Sequence, residues 1–83
     1  MKIPNETRQR EKLLLLLREL RQEKKILQVD IAEQIEVPQS FVSKYESGER
    51  RLDILELRRI CQLLDISLQD FVKKLEERLN ETK

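Results

Sequence analysis

The chain has 83 residues, enough for one domain with a modest hydrophobic core and too few for two. Charged residues make up 40% of the sequence and aromatic residues 4%, a composition suited to small amphipathic helices. The net charge of +1 argues neither for nor against nucleic acid as a partner.

Cysteine content and hydropathy exclude several classes of protein. Cys61 is the single cysteine and there is no histidine, which excludes an internal disulfide and disfavours structural zinc. The leucine run 13–17 has five residues between charged neighbours, too few for a signal peptide or a membrane span. We therefore expect a protein of the reducing cytoplasm that has no membrane partner and no cofactor.

The first predicted helix follows a cap at Asn5 and extends to about Lys24, because no residue between them breaks a helix. Its apolar stripe consists of Leu13, Leu16, Leu17 and Leu20. Leu14 and Leu15 lie outside this stripe. They are either singly exposed, which is common, or part of a second contact surface, and both interpretations stay open.

Two short helices follow. The earlier one is predicted from Gln28 to Ile35, with Ile31, Ala32 and Ile35 facing inward. The later one starts at Pro38 and stops at Gly48, residues that suit the start and the end of a helix. Its apolar stripe is Phe41, Val42 and Tyr45. Its other face carries polar side chains of the kind that read base edges in the DNA major groove, namely Gln39, Ser40, Ser43 and Lys44.

Capping boxes predict two more helices. Asp53 and Glu56 form the first box, and Ser67 and Asp70 form a weaker second one. Apolar residues recur at helical spacing after each box, in the second case to about Asn80. The chain is therefore predicted to be all-α, with five helices and no strand.

The pattern in residues 28–48 resembles that of a known family. The residues that carry the resemblance are Gln28, Ile31, Ala32, Pro38, Gln39, Ser40, Val42, Ser43, Lys44, Tyr45, Glu46 and Gly48. Their spacing is similar to the helix-turn-helix of phage repressor and Cro-type regulators, the XRE family. The resemblance implies a five-helix, lambda repressor-type fold in one domain, 1–83, with a family core at about 13–72 and helical extensions at both ends.

The same resemblance implies a function. It indicates a transcriptional regulator, a repressor or controller, that binds double-stranded DNA as a dimer on an operator with two half-sites. The residues expected to read bases are Gln39, Ser40, Ser43 and Lys44. The residues expected to contact phosphates are Gln28, Arg50 and Arg51, although an exposed arginine pair is often only solvated charge.

Two further expectations come from comparing the chain with the family pattern. Glu46 should form a structural salt bridge with Arg21, near the end of the first helix. The family usually has Gly at three turn positions that here hold Lys25, Glu36 and Asp65, and Ser or Thr in place of Leu27. Each of these three residues either has a left-handed backbone, which costs an L-residue roughly 1–2 kcal/mol, or lies in a locally different turn.

Other functions were weighed against DNA binding. We expect no enzyme, because Cys61 has no histidine to activate it. Residues 28–53 hold three basic and six acidic side chains, which leaves room for an antitoxin-like or other protein-interaction module on the same fold. For the homodimer, an apolar strip at Leu75 and Leu79, helped by Leu14 and Leu15, is one candidate surface. The alternative is that the fifth helix folds back on the first within one monomer.

Overall fold

The computed structural model describes residues 3–81, which form five α-helices. Their bounds are Ile3–Glu23 (α1), Gln28–Ile35 (α2), Gln39–Ser47 (α3), Ile54–Leu63 (α4) and Leu68–Asn80 (α5). No strand occurs in this part of the chain, so the all-α, five-helix prediction is confirmed. None of the helices over these residues combines the length and the apolar character that a membrane crossing requires.

Two predicted helix starts were wrong by a short distance. α1 already begins at Ile3, so Asn5 lies inside its first turn and does not precede it as a cap. Pro4 is compatible with this start, because the first N–H groups of a helix have no partner within the helix. Pro38 has extended backbone and is the N-cap of α3, which begins at Gln39.

Three helices end at a left-handed residue that is not glycine. The φ angles are 58° at Lys25, 61° at Glu36 and 59° at Asp65. The N–H of the residue after each left-handed residue donates to the carbonyl five residues earlier, over 2.9–3.1 Å. The side chain of that residue packs against the core. These following residues are Ile26, Val37 and Ile66. The left-handed alternative is therefore correct, and the apolar contact after each turn offsets its strain.

The core is built by side chains from all five helices. Its buried members are Leu16, Leu17, Ile31, Ala32, Ile35, Val42, Tyr45, Ile60, Cys61, Leu64 and Phe71. Burial raises the pKa of the Cys61 thiol to about 11, so the thiol stays protonated and weakly nucleophilic.

α5 folds back on α1 within the monomer. Nη2 of Arg78 donates to Oε1 of Glu19 over 2.6 Å, and Nζ of Lys12 donates to the carbonyl of Arg78 over 3.0 Å. Leu75 packs against the core and Leu79 is half-buried. The apolar strip of Leu75 and Leu79, a candidate dimer surface, is thus largely used inside one chain.

The two leucines outside the stripe of α1 have different environments. Leu15 is 50% exposed. Leu14 is half-buried, and its Cδ1 atom lies 3.5 Å from where a Cβ on Gly48 would stand. Leu14 therefore packs beside the end of α3 and helps to position that helix.

Candidate nucleic-acid interface

α3 has one buried face and one exposed face. Val42, Tyr45 and Glu46 are buried against the rest of the domain. Gly48, with a φ of 90°, ends the helix in the left-handed region. The exposed face carries all four residues that were expected to read bases: Gln39, Ser40, Ser43 and Lys44. The structure thus brings these four side chains together on one solvent-facing surface.

The four side chains differ in how free they are. The hydroxyl of Ser43 donates to the carbonyl of Ser40 over 3.2 Å, so its oxygen remains available mainly as an acceptor. Gln39 and Lys44 have no side-chain hydrogen bond or ion pair within residues 3–81. A free amide and a free ammonium on one helix face can donate to acceptors of an incoming ligand.

Glu46 lies behind this surface as a buried, fully partnered carboxylate. Its side chain is only 2% exposed and accepts two hydrogen bonds from Arg21, of 2.7 and 3.1 Å. Nε2 of Gln28 donates a third, of 2.9 Å, and Nε of Arg18 lies 3.7 Å away. Such partners are needed because an unpaired buried charge is strongly destabilising. The structure therefore brings Arg21 and Glu46 together, with Gln28 beside them.

Burial and the charge of Glu46 raise the pKa of Tyr45, the neighbouring residue on α3. Its phenol therefore stays neutral at physiological pH. The ring also packs edge to face with Phe41, with the ring centroids 6.1 Å apart. The charged pair of Arg21 and Glu46 thus joins α3 to α1, while the aromatic pair lies within α3 itself.

The start of α2 offers unpaired backbone donors. Leu27 is its N-cap and cannot cap with its side chain, but Oδ2 of Asp30 accepts from the Leu27 N–H over 2.8 Å. The N–H groups of Gln28 and Val29 have no acceptor among the described residues. Free N–H groups at a helix start favour an anion, and here the Gln28 side chain is held beside them by Glu46.

The two arginines in the loop after α3 have different environments, although both were expected to contact phosphates. The Arg50 guanidinium carbon lies 4.1 Å from the centroid of the Phe41 ring. Nη1 and Nη2 of Arg50 each donate to one oxygen of Glu56 over 3.1 Å, and Nη1 also donates to the Arg51 carbonyl over 2.7 Å. Arg51 itself is exposed and has no ion pair with any described acid.

Glu56 is the residue of this site that the sequence did not single out. Its pattern indicated only a capping box with Asp53, and that box is present, with hydrogen bonds of 2.8 and 3.0 Å. The hydrogen bonds from Arg50 hold the pKa of Glu56 below its usual range, and the same pair raises the pKa of Arg50. No local spacing signals this contact, because it depends on the fold of the loop between the two residues.

Comparison with known proteins gives one family and one related structure. A family model described as helix-turn-helix matches residues 17–71. The fold is similar to the crystal structure of a mutant of the restriction-modification controller protein C.Esp1396I, with a TM-score of 0.79 and 25% sequence identity. That likeness covers 90% of this chain and 95% of the other. No curated protein sequence matches the chain.

Proposed function

The chain belongs to the helix-turn-helix family, and from this we propose that it regulates transcription as a dimer that reads an operator with two half-sites. The family and the similarity to a controller protein support a DNA-binding regulator of transcription and not an enzyme. The finer proposal is carried by the polar face of α3, whose opposite face is buried and fixed. Such a regulator would act in the cytoplasm.

The base-reading role falls to the exposed face of α3. Recognition helices of this motif present their N-terminal residues to base edges, and here these are Gln39 and Ser40. Gln pairs bidentately with adenine, while Ser discriminates less. Ser43 and Lys44 extend this surface by one turn, and an ammonium can reach guanine or a phosphate. We assign the four residues to the DNA major groove.

Phosphate contacts are proposed on both sides of α3. Gln28, held by Glu46 and next to two unpaired N–H groups, fits a phosphate at the start of α2. Arg51 supplies an unpaired cation in the loop after α3. We propose a phosphate contact for Arg50 as well. Together these groups would set the orientation of the protein on the duplex without reading sequence.

The proposed dimer uses α4 instead of α5. Leu55 is 69% and Ile54 58% exposed, while Leu75 packs against the core and Leu79 is half-buried. An open groove of about 510 Å³ lies between α4 and the start of α5, lined by Arg58, Gln62, Ser67, Leu68 and Gln69. A two-fold contact would remove both apolar side chains from water on each copy at once.

A protein-interaction function on the same fold, such as that of an antitoxin, is the second candidate. It is favoured by the exposed apolar side chains of Leu15 and Leu55, which lie outside the polar face of α3. A protein partner could cover these apolar side chains as well as a second copy of the chain could. Under this alternative the substitution of Gln39 and Lys44 would leave the main activity intact.

Selection of binding sites from random duplex DNA separates the two candidates. We expect an enriched inverted repeat whose half-sites lie about 34 Å apart, one turn of the DNA helix. The matched control is a variant in which Gln39, Ser40 and Lys44 are all replaced by Ala, which should enrich no sequence. If the unmodified protein also enriches none, the proposal of sequence-specific binding is wrong.

A further inference from the structure

The guanidinium of Arg50 still has donors to offer. A guanidinium has five N–H groups, and the contacts of Arg50 with Glu56 and the Arg51 carbonyl occupy three of them. The Nε–H and one N–H of Nη2 have no acceptor among the described residues. These two groups share one edge of the planar group, and such an edge can bind an oxyanion bidentately.

We propose that Glu56 is a positioning residue for DNA binding: it binds one edge of the Arg50 guanidinium, which lies over the Phe41 ring, so that the other edge is oriented for a backbone phosphate. The inference rests on the proposed function and assigns a role within the same site. Phe41 lies in the first turn of α3, next to Gln39 and Ser40. The contact of Arg50 with Phe41 therefore connects the proposed phosphate contact to the turn of α3 that is proposed to read bases.

Glu56 is expected to affect DNA affinity in two opposing ways. Its negative charge repels the duplex, so its removal alone should tighten binding. Its hydrogen bonds order the Arg50 side chain before DNA binds, so the entropic cost of ordering that side chain is not paid on binding. This is equivalent to a roughly two- to twelvefold gain in affinity. The effect of removing Glu56 should therefore depend on whether Arg50 is present.

The test is a double-mutant cycle on Arg50→Ala and Glu56→Ala, with the dissociation constant measured on the duplex recovered by selection. In the presence of Arg50, Glu56→Ala should be about two- to twelvefold less favourable for binding than the same substitution is in the Arg50→Ala background. In the Arg50→Ala background, the same substitution should tighten binding or leave it unchanged. Equal tightening in both backgrounds would overturn the inference, because Glu56 would then act only through its charge.

Asp53→Ala is the matched control. Asp53 caps the same first turn of α4, accepting from the N–H of Glu56 over 2.8 Å, but no hydrogen bond or ion pair joins it to Arg50. It should leave the affinity within about twofold if the effect of Glu56 passes through Arg50 and not through the helix start. An effect of Asp53→Ala that differs between the two Arg50 backgrounds as much as that of Glu56→Ala would overturn the inference.

A second measurement does not depend on the stability of any variant. In the unmodified protein, the NMR resonance of the Arg50 Nε–H should shift when the duplex is added, because that proton gains a phosphate acceptor. An unchanged resonance in a protein that binds the duplex would contradict the inference alone. If the unmodified protein binds no duplex, the proposed function fails and the inference fails with it.

Discussion

Nε of Arg21 donates a hydrogen bond of 2.7 Å to Oε2 of Glu46, across 25 residues of sequence. Nη2 of the same guanidinium bonds the other carboxylate oxygen over 3.1 Å, and Nη1 donates to the carbonyl of Ile26 over 2.9 Å. One side chain thus joins the last turn of α1, the turn that follows it and the last turn of α3. The orientation of the polar face of α3 depends on this connection.

Replacement of Arg21 or Glu46 by Ala should each destabilise the fold by about 3–5 kcal/mol, because the remaining charge is left buried without its partner. Urea melts followed by circular dichroism measure the loss. The double variant should recover part of it, since the coupling between the two residues is removed only once. Strictly additive losses would show that the two side chains do not depend on each other.

Arg78→Ala is the matched control for this cycle. It breaks the pair with Glu19, in which both side chains are about one third exposed. Exposed pairs contribute roughly 0–1 kcal/mol, so the stability should change by no more than that. A loss as large as that of Arg21→Ala would mean that the burial of Glu46 is not the cause.

Glu36→Gly should stabilise the fold by up to about 1 kcal/mol, because glycine adopts the left-handed backbone at this position without the steric cost of a side chain. Glu36 has a φ of 61° and an exposed side chain, so little packing is lost. Glu33→Gly, inside α2 and also exposed, should instead destabilise by about 1 kcal/mol. Paired urea melts test both, and a clear loss at Glu36 would show that its side chain stabilises the turn.

The fold was predictable because its signals are local. Apolar spacing located the helices, and comparison with the family pattern indicated a turn at Glu36 even without glycine. The contacts of Glu56 and of α5 were not predictable from spacing. Arg50 reaches Glu56 only after the loop has folded, and Arg78 reaches Glu19 across 59 residues. Periodicity shows that a helix has an apolar side but does not show which surface covers it.

Gln39→Ala should reduce discrimination at one base pair of the operator by about 1–3 kcal/mol, because Gln39 lies exposed in the first turn of α3. The measurement compares affinities for the selected duplex and for duplexes that carry each single base change. Ser47→Ala is the matched control, since its hydroxyl bonds the carbonyl of Lys44 at the other end of the helix. Unchanged discrimination in Gln39→Ala would remove this residue from base reading.

Lys44→Ala should weaken binding and, if Lys44 contacts a phosphate, reduce the salt dependence by about one unit of slope. Gln28→Ala is the informative counterpart. Gln28 is neutral and displaces no counterion, so its loss should weaken binding with the slope unchanged. Binding isotherms at several salt concentrations distinguish the two. If both variants bind as the unmodified protein does, neither Lys44 nor Gln28 contacts DNA.

The last prediction concerns the oligomeric state. A domain of this size covers one half-site, so a two-half-site operator requires a second copy. Replacement of both Ile54 and Leu55 by Glu should give a folded monomer, because two exposed apolar side chains at the start of α4 would become charged. Analytical ultracentrifugation compares its mass with that of the unmodified protein.

Two controls locate the contact. Leu15→Glu alters an exposed leucine of α1 and should leave the dimer intact, whereas Leu79→Glu alters a side chain that is half-buried within the monomer and should lower stability without changing the mass. A dimer that persists in the Ile54 and Leu55 variant would place the interface elsewhere. If the unmodified protein is already a monomer at high concentration, the two half-sites must be joined by the DNA or by a protein partner, since no self-association would then bring two copies together.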